Sequence, residues 1–211
     1  MNQNEQHSVS NSAIRGHLII VCCHAIYKPL PSSSTTDVYD ESNWLLADFQ
    51  RSNAAGKLGE HITFINHIEV GWRLLVHDIA RSTKSVLAFS GGPTKIVDIS
   101  ESESYLDALK CITPRSGTDT APSMDNVTYS ESVYTERFST DSFQNLLFSI
   151  LGYWHKLGCW PHYITVVTHA FKSRRFLELH APAIRWPHDR IRVLGLDPPS
   201  SRELLYSILG T

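Results

Sequence analysis

Three short segments combine residue types that can do chemistry. Thr168-His-Ala-Phe-Lys-Ser-Arg-Arg175 brings one imidazole and three cations into eight residues, where a strand gives way to a helix. A helix N-terminus offers free amides and the positive end of its dipole, which suits an anion. Lys172 and Arg175 stand three apart and share a helix face, whereas Arg174 is turned away. Ser90-Gly91-Gly92 follows an apolar strand. Glycines there permit a sharp turn and leave backbone amides open to a phosphate or carboxylate. Neither the Walker spacing nor the dinucleotide G-x-G-x-x-G pattern is present, so the turn is an anion-loop candidate of no specific type. Cys22-Cys23-His24 closes the first strand. Its neighbouring thiol and imidazole point to opposite faces, which disfavours a nucleophile–base pair and leaves His24 as a polar site residue.

The acidic candidates are Glu41, Glu101, Glu103, Glu136 and Asp141, and Asp141 shares a helix face with Asn145. No H-E-x-x-H and no paired-Cys spacing occurs, and the eleven histidines are scattered, so no metal-ligand set is expected. No cofactor is named by any motif.

These segments need elements to hold them. Leu18–Cys23, Ser85–Phe89, Tyr163–Thr168 and Arg190–Gly195 read as strands, the first three continuously apolar as in a sheet covered on both faces. Helices are expected over 43–51, with Ser42 as cap and Trp44, Leu45 and Phe49 inward, and over 60–81. Further helices are expected over 101–111 behind a Ser100 cap, over 140–156 behind a Ser139 cap, over about 172–180, and over 200–209. Strand–helix alternation predicts an α/β fold with a mainly parallel sheet of about five strands and helices on both faces. Ligands of such sheets bind beyond the carboxyl ends of the strands, which selects the loops after Cys23, Phe89 and Thr168.

With 211 residues, one domain over 13–211 is expected, after a flexible polar tail at 1–12. Residues 113–132 are rich in Ser, Thr, Pro, Asp and Gly and read as an inserted mobile loop. The net charge of −2 gives no basic balance to recruit nucleic acid, and no apolar run reaches membrane-helix length. The first twelve residues lack the apolar core of a secretory signal, and four cysteines without framework spacing suit reduced thiols. A cytoplasmic location is therefore expected.

Six segments in this order resemble the family called domain of unknown function 218, and more closely its fungal branch. They are Val21-Cys-Cys-His-Ala-Ile-Tyr27, Glu41-Ser-Asn-Trp-Leu-Leu46, Phe89-Ser-Gly-Gly-Pro-Thr-Lys95, Ser100-Glu-Ser-Glu-Ser-Tyr105, Thr140-Asp-Ser-Phe-Gln-Asn145 and Thr168-His-Ala-Phe-Lys-Ser-Arg-Arg175. The resemblance implies a Rossmann-like three-layer sandwich with a polar pocket at the strand ends. Its shared positions fall on Ser90, Gly91, Gly92, Glu101, Glu136, Ser142, Asn145, Thr168 and Arg175. Bacterial members are associated with the cell envelope, and one is reported to bind S-adenosylmethionine. This sequence departs from the bacterial pattern at Cys23-His24-Ala25, where glycines are usual, and at Lys172, where a His is usual.

The leading expectation is a small enzyme acting on an anionic or phosphorylated metabolite. Ser90, Gly91, Gly92, Asn145, Thr168, Lys172 and Arg175 would bind it, and His24, Glu101 or His169 would move protons. Hydrolysis, lyase chemistry and isomerisation are all compatible with that set. The alternatives are a nucleotide-like binder, with S-adenosylmethionine as the named ligand, and a non-catalytic module acting through the 113–132 loop.

Overall fold

The computed structural model describes residues 16–29, 36–81, 83–112 and 129–198. The 1–12 tail, most of the 113–132 segment and the closing 200–209 helix fall outside the described residues.

Strands with apolar side chains on both faces need cover on both faces, and the chain supplies it. Strand β1 (His17–Cys22) is followed by β2 (Ile26–Tyr27), β3 (Trp44–Leu45), helix α1 (His61–Ala80), β4 (Ser85–Ser90) and α2 (Glu101–Ile112). Then come α3 (Tyr129–Ser132), β5 (Val133–Glu136), α4 (Ser142–Leu157), β6 (Tyr163–Thr168), a π-helical segment (Arg175–His180), α5 (Ala181–Ala183) and β7 (Ile191–Gly195). The five long strands form an all-parallel sheet in the order β5-β4-β1-β6-β7, and β2 pairs antiparallel with β3 beside it. The chain steps outward from β1 to β4 and β5, then returns to β6 on the other side of β1. That reversal is the Rossmann-like switch point.

The two faces have separate cores. Ile19, Val21, Leu87, Phe89 and Val167 pack with Phe64, Ile65, Ile68 and Trp72 of α1 and with Tyr105 and Leu109 of α2. Leu18, Ile20, Cys22, Val86, Ile164 and Val166 pack with Leu146, Ile150 and Tyr153 of α4 and with Phe176 and Ala181. Each such side chain contributes roughly 1.5–3 kcal/mol by leaving water. At the amino end of the sheet, His17 Nδ1 lies 2.6 Å from Asp78 Oδ2 and its Nε2 2.8 Å from Thr165 Oγ1, which ties α1 to β1 and β6.

Several expected elements differ. The 43–51 helix does not form. The Asp40 carboxylate caps a single tight turn by accepting from Ser42 N, and Trp44 then extends to pair with Tyr27 while its Nε1 donates to Val38 O. Trp44 is buried, but Phe49 is 73% exposed. Three adjacent apolar residues, Trp44-Leu45-Leu46, carry no period that separates helix from strand. Strand β5 went unrecognised because Val133-Tyr-Thr-Glu136 is short, polar at its end and half-buried. Helix α4 is capped by Asp141, which accepts from Gln144 N, rather than by Ser139. The basic helix is irregular: a tight turn at Ala170–Lys172 leads into the π-helical segment, ahead of Pro182, which has no N–H to continue a regular ladder.

Gly71 lets α1 approach the sheet. A Cβ there would lie 2.5 Å from Val21 Cγ2 and 3.1 Å from Leu87 Cδ1. Gly71→Ala is expected to lower stability by about 1–3 kcal/mol through overpacking, read as a fall in the urea midpoint with unchanged slope. All four cysteines are unpaired, so thiol titration of the denatured protein without reductant should count four.

Candidate functional site

The carboxyl ends of β1 and β6 lie side by side at the switch point, and both run into histidines. His24 follows β1 by two residues, and its loop is held from two sides. Gln50 Nε2 donates to His24 O at 3.0 Å, and His24 N donates to the Tyr105 hydroxyl at 3.2 Å. The half-buried imidazole turns toward β6. Its Nε2 lies 3.3 Å from Thr168 Oγ1 and its Nδ1 3.3 Å from Lys172 Nζ.

Two further imidazoles close around it. His169 follows β6 directly, and its ring centroid lies 4.6 Å from that of His24. His67 comes from the buried face of α1, 5.2 Å from His169 and 5.8 Å from His24. Its Nε2 lies 2.9 Å from Leu196 O, a carbonyl that only accepts, so Nε2 carries the proton and Nδ1 presents its lone pair. The Nδ1 atoms of His67 and His169 are both buried and have no hydrogen-bond partner among the described residues. One nitrogen from each of the three rings lies within 4.8 Å of the others.

Burial, then the Lys172 charge and the other two rings, push His24 well below the usual imidazole range. Burial likewise lowers His67 to about 4 and lowers His169. The ammonium of Lys172 is itself pulled down, first by burial. Glu101 is buried and moves the other way, its carboxyl pushed up by burial against a 2.6 Å bond from Thr94 Oγ1.

The Ser90-Gly91-Gly92 turn departs from expectation. Its amides are not open to a ligand: Gly91 N donates to Glu136 O at 3.0 Å and Gly92 N to Ser139 O at 2.8 Å. The missing side chains serve packing instead, since a Cβ on Gly91 would lie 2.8 Å from Cys23 Cβ and 2.9 Å from Glu101 Oε2. Ser90 donates to Glu136 Oε2 at 2.6 Å, and Asn145 Nδ2 lies within 2.8–3.1 Å of Ser139 Oγ, Ser90 Oγ and Ser90 O. Phe138 N and Ser139 N complete the Glu136 carboxylate. Ser90, Glu136, Ser139 and Asn145 are thus a closed, buried network that staples β4 to β5 and α4.

The cations divide as their phase requires. Arg174 is committed to Glu178, with Nη2 to Oε2 at 2.8 Å, while Arg175 is exposed and near enough to Lys172 to lower its pKa. Ser142 Oγ lies 2.9 Å from His180 Nε2. Cys22 is buried in the α4 core and Cys23 in the α1 core. Burial pushes the Cys22 thiol up to about 12 and Cys23 up strongly, so neither is a ready nucleophile.

His24, Thr168, His169 and Lys172 therefore meet, with Glu101 in electrostatic range of Lys172. Ser90, Gly91 and Gly92 instead close the neighbouring strand β4, with Asn145 of α4 bonded to Ser90. His67 escaped sequence reading because an isolated histidine on an apolar helix face looks like core. Its one signal is its place among Phe64, Ile68 and Gly71 on the buried face. A separate, mostly apolar cavity of about 760 Å³ lies at the β5 edge, lined by Tyr134, Phe138, Phe148 and Leu151 among others.

Unfolded, these imidazoles titrate near 6.5; folded, His67 stays neutral down to about 4. Between those values the unfolded chain binds more protons, so stability is complete above about 6.5 and is lost as pH falls toward about 4. Urea midpoints should fall across that window, and His67→Gln should flatten the decline. A midpoint independent of pH would contradict the burial of neutral rings.

No model of a known protein family matches the chain, and no solved structure matches it. Over an alignment of 212 residues it is 31% identical to a Saccharomyces cerevisiae (strain ATCC 204508 / S288c) protein described as "Uncharacterized protein YOR238W", covering 86% of this chain and 67% of the yeast protein. With that identity and that coverage, the chain belongs to the family of YOR238W.

Proposed function

We propose that the chain is a small intracellular enzyme acting on an anionic metabolite, a phosphate ester foremost, at the carboxyl ends of β1 and β6. One observation carries the reading. Lys172 is an ammonium drawn partly out of water beside a neutral imidazole, and among the described residues no carboxylate lies within 4.0 Å of its Nζ. A cation held this way has no contact ion pair to repay its desolvation, and an anionic ligand supplies one. Arg175, exposed next to Lys172, adds a planar fork that matches phosphate or carboxylate. While its ring holds no ion, neutral His24 is the proton acceptor, with His169 beside it, and Glu101, kept protonated more readily by burial, is the donor. Thr168 positions His24, and the Ser90 network with Asn145 is the rigid wall behind them.

The convergence of Ser90, Glu101, Glu136, Asn145, Thr168 and Arg175 on one sheet edge supports a further proposal, that the chain is a divergent member of the domain of unknown function 218 family. Four unpaired cysteines favour the cytoplasm, and no described helix is long and apolar enough to cross a membrane. A nucleoside-containing ligand such as S-adenosylmethionine is less well served, because β4 ends in Ser90 and offers no carboxylate for a ribose.

Calorimetric titration with inorganic phosphate, in the presence of a metal chelator, tests the reading. Saturable binding is expected, weakened about tenfold or more by Lys172→Met and by Arg175→Ala, as loss of a charge-assisted bond costs about 1.5–3 kcal/mol. Arg174→Ala should leave affinity within about twofold, since surface changes stay within roughly 0.5 kcal/mol. Phosphate affinity unchanged by Lys172→Met would overturn the proposal.

A further inference from the structure

Three histidines from three elements bring one ring nitrogen each within 4.8 Å of one another, and in two of the rings, His67 and His169, Nδ1 is buried with no hydrogen-bond partner among the described residues. Burying a polar nitrogen without a partner costs about 1–3 kcal/mol, so two in one place call for an occupant. The occupant must accept electron pairs. His67 settles this for its own ring, because Nε2–H donates to Leu196 O and so Nδ1 is a bare lone pair. A bond of this kind, from the far ring nitrogen to a backbone carbonyl, is the arrangement that orients metal-bound imidazoles. His169 Nδ1 is likewise unpartnered, and its ring is clamped between His24 and Phe171. On His24, both ring contacts are 3.3 Å, longer than the usual 2.7–3.2 Å range. Neither nitrogen of that ring is strongly committed.

We infer that His24, His67 and His169 form a three-histidine site for a divalent first-row transition metal, zinc foremost, with an open fourth position at the switch point of the sheet. The three nitrogens lie within 4.8 Å of one another. Bonds of about 2.0–2.1 Å to a tetrahedral ion bring ligand nitrogens to about 3.4 Å, so small side-chain rotations close the site. An all-imidazole set suits zinc, copper, nickel or iron rather than magnesium or calcium. Three protein ligands with a vacancy is the pattern of a reactive metal rather than a structural one, which is typically four-coordinate. Glu60 and Asp197 lie within electrostatic range of His169 and offset the added charge. Asp197 also accepts from Ala170 N at 2.8 Å, fixing the loop that carries His169. Histidines at 24, 67 and 169 share no local spacing, which is why the sequence suggested no metal.

Lys172 opposes the ion, since its ammonium sits 3.3 Å from His24. That makes the site separable from the phosphate reading. Lys172→Met should tighten metal binding and loosen phosphate, two opposite signs from one substitution.

The test uses the full chain, stripped with chelator and titrated with Zn²⁺ alone against a chromophoric competitor. Co²⁺ supplies a second readout through its visible d–d bands. Wild type should bind one ion per chain. His24→Gln and His169→Gln should each weaken binding more than roughly tenfold and remove the Co²⁺ spectrum, and His67→Gln should do the same where melting shows it folds. Should the buried variants not fold, the sign of the Lys172→Met effect decides. No stoichiometric binding by wild type, binding indifferent to His24→Gln, or weaker metal binding in Lys172→Met would each overturn the site. Failure of phosphate to bind the metal-free protein would leave these outcomes untouched.

Discussion

Strand β1 is buried along all six residues because it has a parallel partner on each edge and a helix layer on each face. His24, Thr168, His169 and Lys172 are placed by where that strand and its neighbour β6 stop. Backbone pairing sets β1 and β6 in register, from His17 opposite Tyr163 to Val21 opposite Val167. Thr168 therefore ends level with Cys22, and the ring of His24, two residues further on, reaches its hydroxyl at 3.3 Å. Close approach of α1 at Gly71 adds the third ring, since the helix turn that carries Gly71 also carries His67. The position of the histidines is thus a consequence of hydrogen-bond register and of one missing methyl group.

Two polar assemblies share the sheet edge, and they differ in kind. The Ser90, Glu136, Ser139 and Asn145 group satisfies itself: each donor finds an acceptor inside the protein, and the group is rigid for that reason. The histidine group is left incomplete. Among the described residues two nitrogens have no hydrogen-bond partner, and a lysine is drawn out of water with no carboxylate in contact with it. A folded chain tolerates such unsatisfied groups at a cost of a few kcal/mol, and it tends to do so where a ligand is to be met. The contrast separates wall from site more sharply than residue identity does, since both assemblies are built from residue types common in catalysis.

The parallel sheet was legible because β1, β4 and β6 are runs of apolar residues in an alternating chain, and such runs have few other uses. The loops after β1 and β6 were legible as the candidate site for the same topological reason. The role of the Ser90-Gly-Gly turn was not. Glycine reads equally as an open amide and as room for a neighbour, and only the proximity of Cys23 and Glu101 to Gly91 separates the two. The segment around Trp44 misled because a short apolar run has no resolvable period. His67 was invisible because its partners lie about 40 and 100 residues away in the chain, a relation that register creates and spacing does not record.

The pairing of β1 with β6 has a consequence for the chain as it is made. His17 waits for Tyr163, about 150 residues later, and at ordinary elongation rates of 5–20 residues per second that is a delay of roughly 7–30 seconds. During that interval the most apolar strand of the protein has only β4 available as an edge partner, and its other edge stays open to unrelated strands. Until β6 emerges, that open edge is where the nascent chain is exposed to mispairing. Truncations that end before β6 should partition into aggregates however well their helices form.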